Sequence, residues 1–169
     1  MRTLRTLRLC GNNITRPPRE ALGALQSLQN LYLNRNEMTQ LKKDAFGNLL
    51  VVSKLELSGN KLWNVSYSAF ENMRQMVSVD LSFNNLSWVP PGAFLGKLYG
   101  SFSLCFCHTW FFLGLVALRE INLSHNRLRN LQNRTHGLFE DCLSIRKVSF
   151  QNFNPTQRKL SLFPKKSYF

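Results

Sequence analysis

Asn12, Asn36, Asn60 and Asn84 are spaced 24 residues apart, and a fifth, Asn126, follows in the same local frame. That frame is Leu-x-x-Leu-x-Leu-x-x-Asn-x-Leu, with conservative replacements. It holds Leu4, Leu7, Leu9, Asn12 and Ile14 in the first unit, and Leu28, Leu31, Leu33, Asn36 and Met38 in the second. Val52, Leu55, Leu57, Asn60 and Leu62 form the third, and Met76, Val79, Leu81, Asn84 and Leu86 the fourth. Leu118, Ile121, Leu123, Asn126 and Leu128 form the fifth. A fixed period of this size means stacked units, none of which can bury its apolar face alone. Each Leu-x-Leu reads as a short strand whose leucines point inward while the residue between them points outward. The side-chain amide of each Asn is placed to satisfy backbone groups where the chain turns away.

A second set of apolar positions completes the unit. Leu41, Phe46 and Leu49 follow Asn36, and Val65, Phe70 and Met73 follow Asn60. Val89 and Phe94 follow Asn84. With these positions the chain resembles the extracellular, 24-residue type of leucine-rich repeat. The resemblance covers residues 1–96 and 115–150 and implies an α/β-type solenoid. In that fold a right-handed superhelix carries a parallel β-sheet on its concave face and a mostly irregular convex side. Leu22, Phe46, Phe70 and Phe94 are expected to stack as an apolar spine beneath the convex surface.

The period breaks once. Asn84 to Asn126 is 42 residues, 18 more than 24, and removing 97–114 restores the frame with Leu115 in the slot held by Leu49 and Met73. The extra piece, KLYGSFSLCFCHTWFFLG, has one charge and no repeat pattern. Three readings compete. Residues 98–118 carry no formal charge and are long enough to span a bilayer. A rim loop is tolerated thermodynamically, but one this apolar is an aggregation hazard. The third reading is translated intron: codons for Gly96-Lys97-Leu98 can contain a splice donor, and those for Phe111-Phe112-Leu113-Gly114 a pyrimidine tract and acceptor. We favour the third. The organisation expected is therefore repeats one to four in 1–96, an insert in 97–114, repeats five and six in 115–150, and a basic non-repeat tail in 151–169.

Neither end shows a signal peptide or a cysteine-rich cap, so the chain reads as an internal piece of a longer protein. Membrane attachment, if any, would then reside in the missing parts. Of the four cysteines, Cys105 and Cys107 fall in the insert, Cys10 takes a turn position, and Cys142 takes a core slot as a buried thiol. Cys105, Cys107 and His108 lack a fourth ligand at a defined spacing, and no metal or cofactor is expected.

Five glycosylation sequons begin at Asn13, Asn64, Asn85, Asn122 and Asn133. Together with the repeat subtype they point to an extracellular or cell-surface location. A formal net charge of +13 raises nucleic acid as a ligand. The outward strand residues, however, read Arg8, Tyr32, Glu56, Asp80, Asn122 and Ser149, which is no phosphate track. Polyanions such as heparin remain candidates, with Arg2, Arg5 and Arg8 at one end and Arg146 and Lys147 at the other.

An enzyme is not expected: no phosphate loop, nucleophile elbow or metal-binding helix is present. The expected function is recognition of a protein partner by the concave face, through Arg8, Tyr32, Arg35, Glu56, Asp80, Phe83 and His125. The repeat subtype is similar to those of chaoptin-like, Toll-like and Slit-like ectodomains. The stretch from Arg134 to Cys142 leans towards the chaoptin-like adhesion proteins, which would make another cell-surface protein, or a second copy, the partner. The rival expectations are a single-pass protein with its span at 98–118 and an intracellular scaffold.

Overall fold

The computed structural model describes residues 3–67, 69–89, 117–128 and 146–149. In chain order its elements are β1 (Thr6–Arg8), α1 (Arg19–Gly23), β2 (Asn30–Tyr32), β3 (Gln40–Leu41), β4 (Lys54–Glu56), β5 (Asn64–Val65), β6 (Ser78–Asp80), β7 (Glu120–Asn122) and β8 (Lys147–Ser149). Six of the strands form one parallel sheet in the order β1-β2-β4-β6-β7-β8. β3 and β5 form a second, two-stranded parallel sheet on the outer arm of the repeats. The fold is thus the solenoid the repeat frame implies.

Three-residue strands follow from the sequence frame. In β2, β4 and β6 the central Leu31, Leu55 and Val79 are buried and their flanking residues half-exposed. Leu33, Leu57, Leu81 and Leu123 follow the strands into the same core, with Leu28, Val52, Met76 and Leu118 preceding them. Burying side chains of this size stabilises by about 1.5–3 kcal/mol each relative to exposure. Leu4, Leu7, Leu9 and Ile14 of the first unit are only partly buried. Among the described residues that unit has a neighbour on one side alone, so its apolar face is half covered.

The spine is present where it is described. The rings of Phe46 and Phe70 stack with centroids 5.9 Å apart and 13° between planes. Leu22 is buried in the equivalent slot. Phe94 lies outside the described residues, as do residues 97–114, Asn133, Cys142 and 151–169. The outer arm is more ordered than expected. Leu41 and Val65, read only as apolar points, are strand residues of the second sheet.

β7 pairs with β6 in the register that joins the other neighbours: Ser78 faces Glu120, Val79 faces Ile121 and Asp80 faces Asn122. The repeats before and after the long interval share one sheet. A single span between them, which would part them onto opposite sides of a bilayer, does not fit this pairing. No helix among the described residues is long and apolar enough to cross a membrane.

Candidate binding surface

The concave face is held in place by the asparagine ladder. Asn36 accepts from the Ile14 N–H at 3.1 Å, Asn60 from Met38 at 3.1 Å, and Asn84 from Leu62 at 3.0 Å. Each amide nitrogen donates back to the end of its own strand and of the strand before it. Asn60 Nδ2, for instance, reaches the carbonyls of Leu57 at 2.9 Å and Leu33 at 3.0 Å. Asn12 has only its local carbonyls, Leu9 at 3.0 Å and Cys10 at 3.2 Å. Every buried side-chain polar atom among the described residues has a partner. The ladder therefore positions the sheet without leaving an orphan group for a ligand to satisfy.

Strand register aligns Arg8, Tyr32, Glu56, Asp80, Asn122 and Ser149 as one outward column. At its basic end the Arg8 guanidinium stands 4.1 Å above the Tyr32 ring, with the Lys54 ammonium 5.5 Å from the same ring. These are cation–π distances. Lys54 also pairs with Glu56 at 3.0 Å. The hydrogen bond that Lys54 donates to Glu56 holds the Lys54 pKa above its ordinary value, against a smaller loss from partial burial, and the charges of Glu56, Tyr32 and Asp80 add to it. Lys54 joins the surface beside the residues that the sequence frame points to. It lies two residues before Glu56, and the alternation of a strand puts both on one face.

Further along, the column is self-satisfied. Asp80 Oδ1 accepts from the Ser82 N–H at 2.8 Å. Asn122 Oδ1 accepts from the Ser124 N–H at 3.1 Å and from its hydroxyl at 2.7 Å. The face thus runs from a basic, aromatic end to an acidic middle and a neutral amide.

Arg35, Phe83 and His125 are not in this column. Each immediately precedes a ladder asparagine and takes a left-handed backbone, with φ of 55°, 53° and 54°. Gly11 and Gly59 hold the same position at φ 67° and 66°. The turn out of the strand demands this conformation, which glycine adopts without steric cost and other residues rarely do. Phe83 and His125 stack at 4.0 Å with 7° between planes. The seven anticipated contact residues therefore divide into a strand column (Arg8, Tyr32, Glu56, Asp80) and a turn row (Arg35, Phe83, His125).

Beyond the turn row lie two shallow concavities. One, of about 580 Å³, is lined by Phe83, His125, Lys61, Asn85, Arg127 and the ladder residues Asn60 and Asn84. The next, of about 470 Å³, is lined by Trp63, Asn85, Ser87 and Arg127. A third concavity, about 650 Å³ between the first two units, includes Arg16, Arg19, Lys42 and Lys43 with Glu20 and Asp44. There Arg19 pairs with Asp44 at 2.5 Å. Of the sequon asparagines, Asn13 and Asn85 are exposed, while Asn64 and Asn122 are half-buried in strands. Cys10 is an exposed free thiol. No group of three or more metal-ligating side chains occurs among the described residues.

No curated protein matches the sequence. Among solved structures, human 5T4 (Wnt-activated inhibitory factor 1, trophoblast glycoprotein) is similar at 23% identity and a TM-score of 0.63, over 88% of this chain and 51% of that one. Internalin C2 of Listeria monocytogenes is similar at 22% identity and a TM-score of 0.59, over 86% and 50%. Internalin J of the same bacterium is similar at 16% and 0.55, over 88% and 25%. The chain thus spans about half the length of the first two of these proteins and a quarter of the third, and at these identities the likeness is one of fold. The family profile described as leucine rich repeat matches residues 2–62 and 51–97, and the chain belongs to the leucine-rich repeat family.

Proposed function

We propose that this chain is an extracellular protein-binding module, a piece of a cell-adhesion or receptor protein, that holds its partner against the concave face. Leucine-rich repeat domains are in general protein-interaction modules and typically non-enzymatic scaffolds. The observation that carries the reading further is the registered column Arg8–Tyr32–Glu56–Asp80, in which a cation, an aromatic ring and two acids follow one another across four strands. Such a surface offers both apolar anchoring and charge complementarity, and the latter sets specificity and encounter rate more than raw affinity.

The extracellular location rests on the sequons and the repeat subtype. It draws support from the likeness in fold to human 5T4, a trophoblast glycoprotein. The partner is a cell-surface protein, and a second copy of the parent protein is the first candidate to test. Polyanions are a second ligand class, favoured by Arg16 and Lys42 in the cleft between the first two units. Retention on immobilised heparin at physiological salt tests that class.

The decisive experiment screens the folded chain against arrayed cell-surface ectodomains, itself included. The Tyr32→Ala, Phe83→Ala double variant is expected to lose the partner so found while keeping the parent's circular dichroism. Unaltered affinity of that variant would remove the concave face from consideration.

A further inference from the structure

Two of the large exposed side chains, Trp63 at 54% exposure and Phe83 at 58%, flank the same residue, Asn85. The repeat frame explains the arrangement. Trp63 and Ser87 each stand three residues after a ladder asparagine, while Asn85 and Arg127 each stand one residue after. Stacking of three successive units brings the four together around the concavity of about 470 Å³. Asn85 and Arg127 also line the neighbouring concavity that contains Phe83 and His125. The backbone of the patch is fixed: the Asn85 N–H donates to Leu62 at 2.8 Å, Trp63 to Thr39 at 2.9 Å, and Arg127 to Leu86 at 2.9 Å.

Asn85-Leu86-Ser87 is a sequon, and both Asn85 and Ser87 line this concavity. We propose that Asn85 carries an N-linked glycan whose first sugars lie in the concavity against the indole of Trp63. The proposal rests on the extracellular reading above. The oligosaccharide comes from a polyprenyl-pyrophosphate-linked donor. The bond from sugar C1 to the pyrophosphate oxygen breaks, C1 bonds to Asn85 Nδ2, the amide nitrogen gives up one proton, and the lipid pyrophosphate leaves.

The other described sequons lack this setting. Asn122 stands in the concave sheet with its oxygen held by the buried Ser124. Asn64 is half-buried in β5. Asn13 is exposed, in the first unit, two units away from that of Trp63. At Asn85 the apolar C–H face of a sugar ring covers an indole that is otherwise left in water, while Arg127 and Ser87 meet its hydroxyl groups. The same placement keeps the glycan on the turn side of the ladder and leaves the Arg8–Asp80 column open.

The test uses the full chain, isolated from its own source and also secreted from cultured eukaryotic cells. Glycopeptide mass spectrometry reads occupancy, and timed amidase digestion of the folded protein reads protection. The proposal expects Asn85 to be occupied in both preparations. Its glycan should be released about fivefold more slowly than that on Asn13, an advantage that Trp63→Ala removes and Trp63→Tyr retains. Asn85 bare while Asn13 is occupied overturns the proposal and leaves the extracellular reading standing. Native protein bare at every sequon overturns both. Occupied Asn85 whose release rate ignores Trp63→Ala overturns the seating on the indole.

Discussion

Asn126 donates through Nδ2 to the carbonyl of Leu81, 2.8 Å away and 45 residues earlier, as Asn84 does to Leu57 at 3.1 Å across 27. Its Oδ1 accepts from the Leu86 N–H at 3.0 Å, the bond that Asn84 makes with Leu62. The ladder therefore crosses the long interval without a change of geometry. From Asn36 onward each rung ties a backbone group of one unit to the next, which is how repeats with little regular structure on their outer side keep a common spacing.

The rungs should be unequal. Asn60 is 6% exposed and serves the buried Met38 N–H and two strand carbonyls. Asn60→Ala strands these groups and should cost about 1–3 kcal/mol, read as a lower urea midpoint. Asn12→Ala removes bonds at an exposed site and should cost clearly less. Equal losses would contradict the ladder as a cross-repeat device.

Phe70 and Phe83 make a second contrast. Phe70 is 1% exposed and stacks on Phe46, so Phe70→Ala should cost about 3–5 kcal/mol. Phe83→Ala, at an exposed turn, should stay within about 0.5 kcal/mol. Thermal melts of the two variants separate these expectations, and comparable losses would place Phe83 in the core.

The left-handed row predicts a reversal of the usual rule that glycine weakens a fold. Arg35→Gly relieves the backbone at φ 55° and should raise stability by up to about 1 kcal/mol. Gly59→Ala, at φ 66°, should lower it by roughly 1 kcal/mol. In that site a Cβ also comes within 3.4 Å of Arg35 Cγ. Denaturant titration of both variants checks the signs.

Lys54 supplies a pH dependence. Its folded pKa is raised above 10.5, chiefly by the hydrogen bond with Glu56. A raised basic group contributes fully below its unfolded pKa and loses that contribution as pH rises through the folded value. Thermal stability should therefore fall above about pH 10.5. The Glu56→Gln variant, lacking the partner charge, should show a weaker fall between these two pKa values than the parent, and an identical profile would deny the pairing a role.

The sequence by itself determined the unit, the inward leucines, the outward column from Arg8 to Ser149, and the place of each ladder asparagine. These follow from periodicity, because the alternation of a strand decides on which side every residue falls. It also showed that 18 extra residues interrupt the frame between Asn84 and Asn126. Tertiary structure alone decided the rest. That Arg35, Phe83 and His125 share a left-handed turn with Gly11 and Gly59 was hidden, since their side chains have nothing in common. That Gln40–Leu41 and Asn64–Val65 pair as strands was hidden too, two residues being too short for a pattern. Trp63, Asn85 and Arg127 meet only because stacking sets residues from successive units side by side. Chain-local chemistry fixes which way a side chain points. Its neighbours are fixed by the spacing of one repeat against the next.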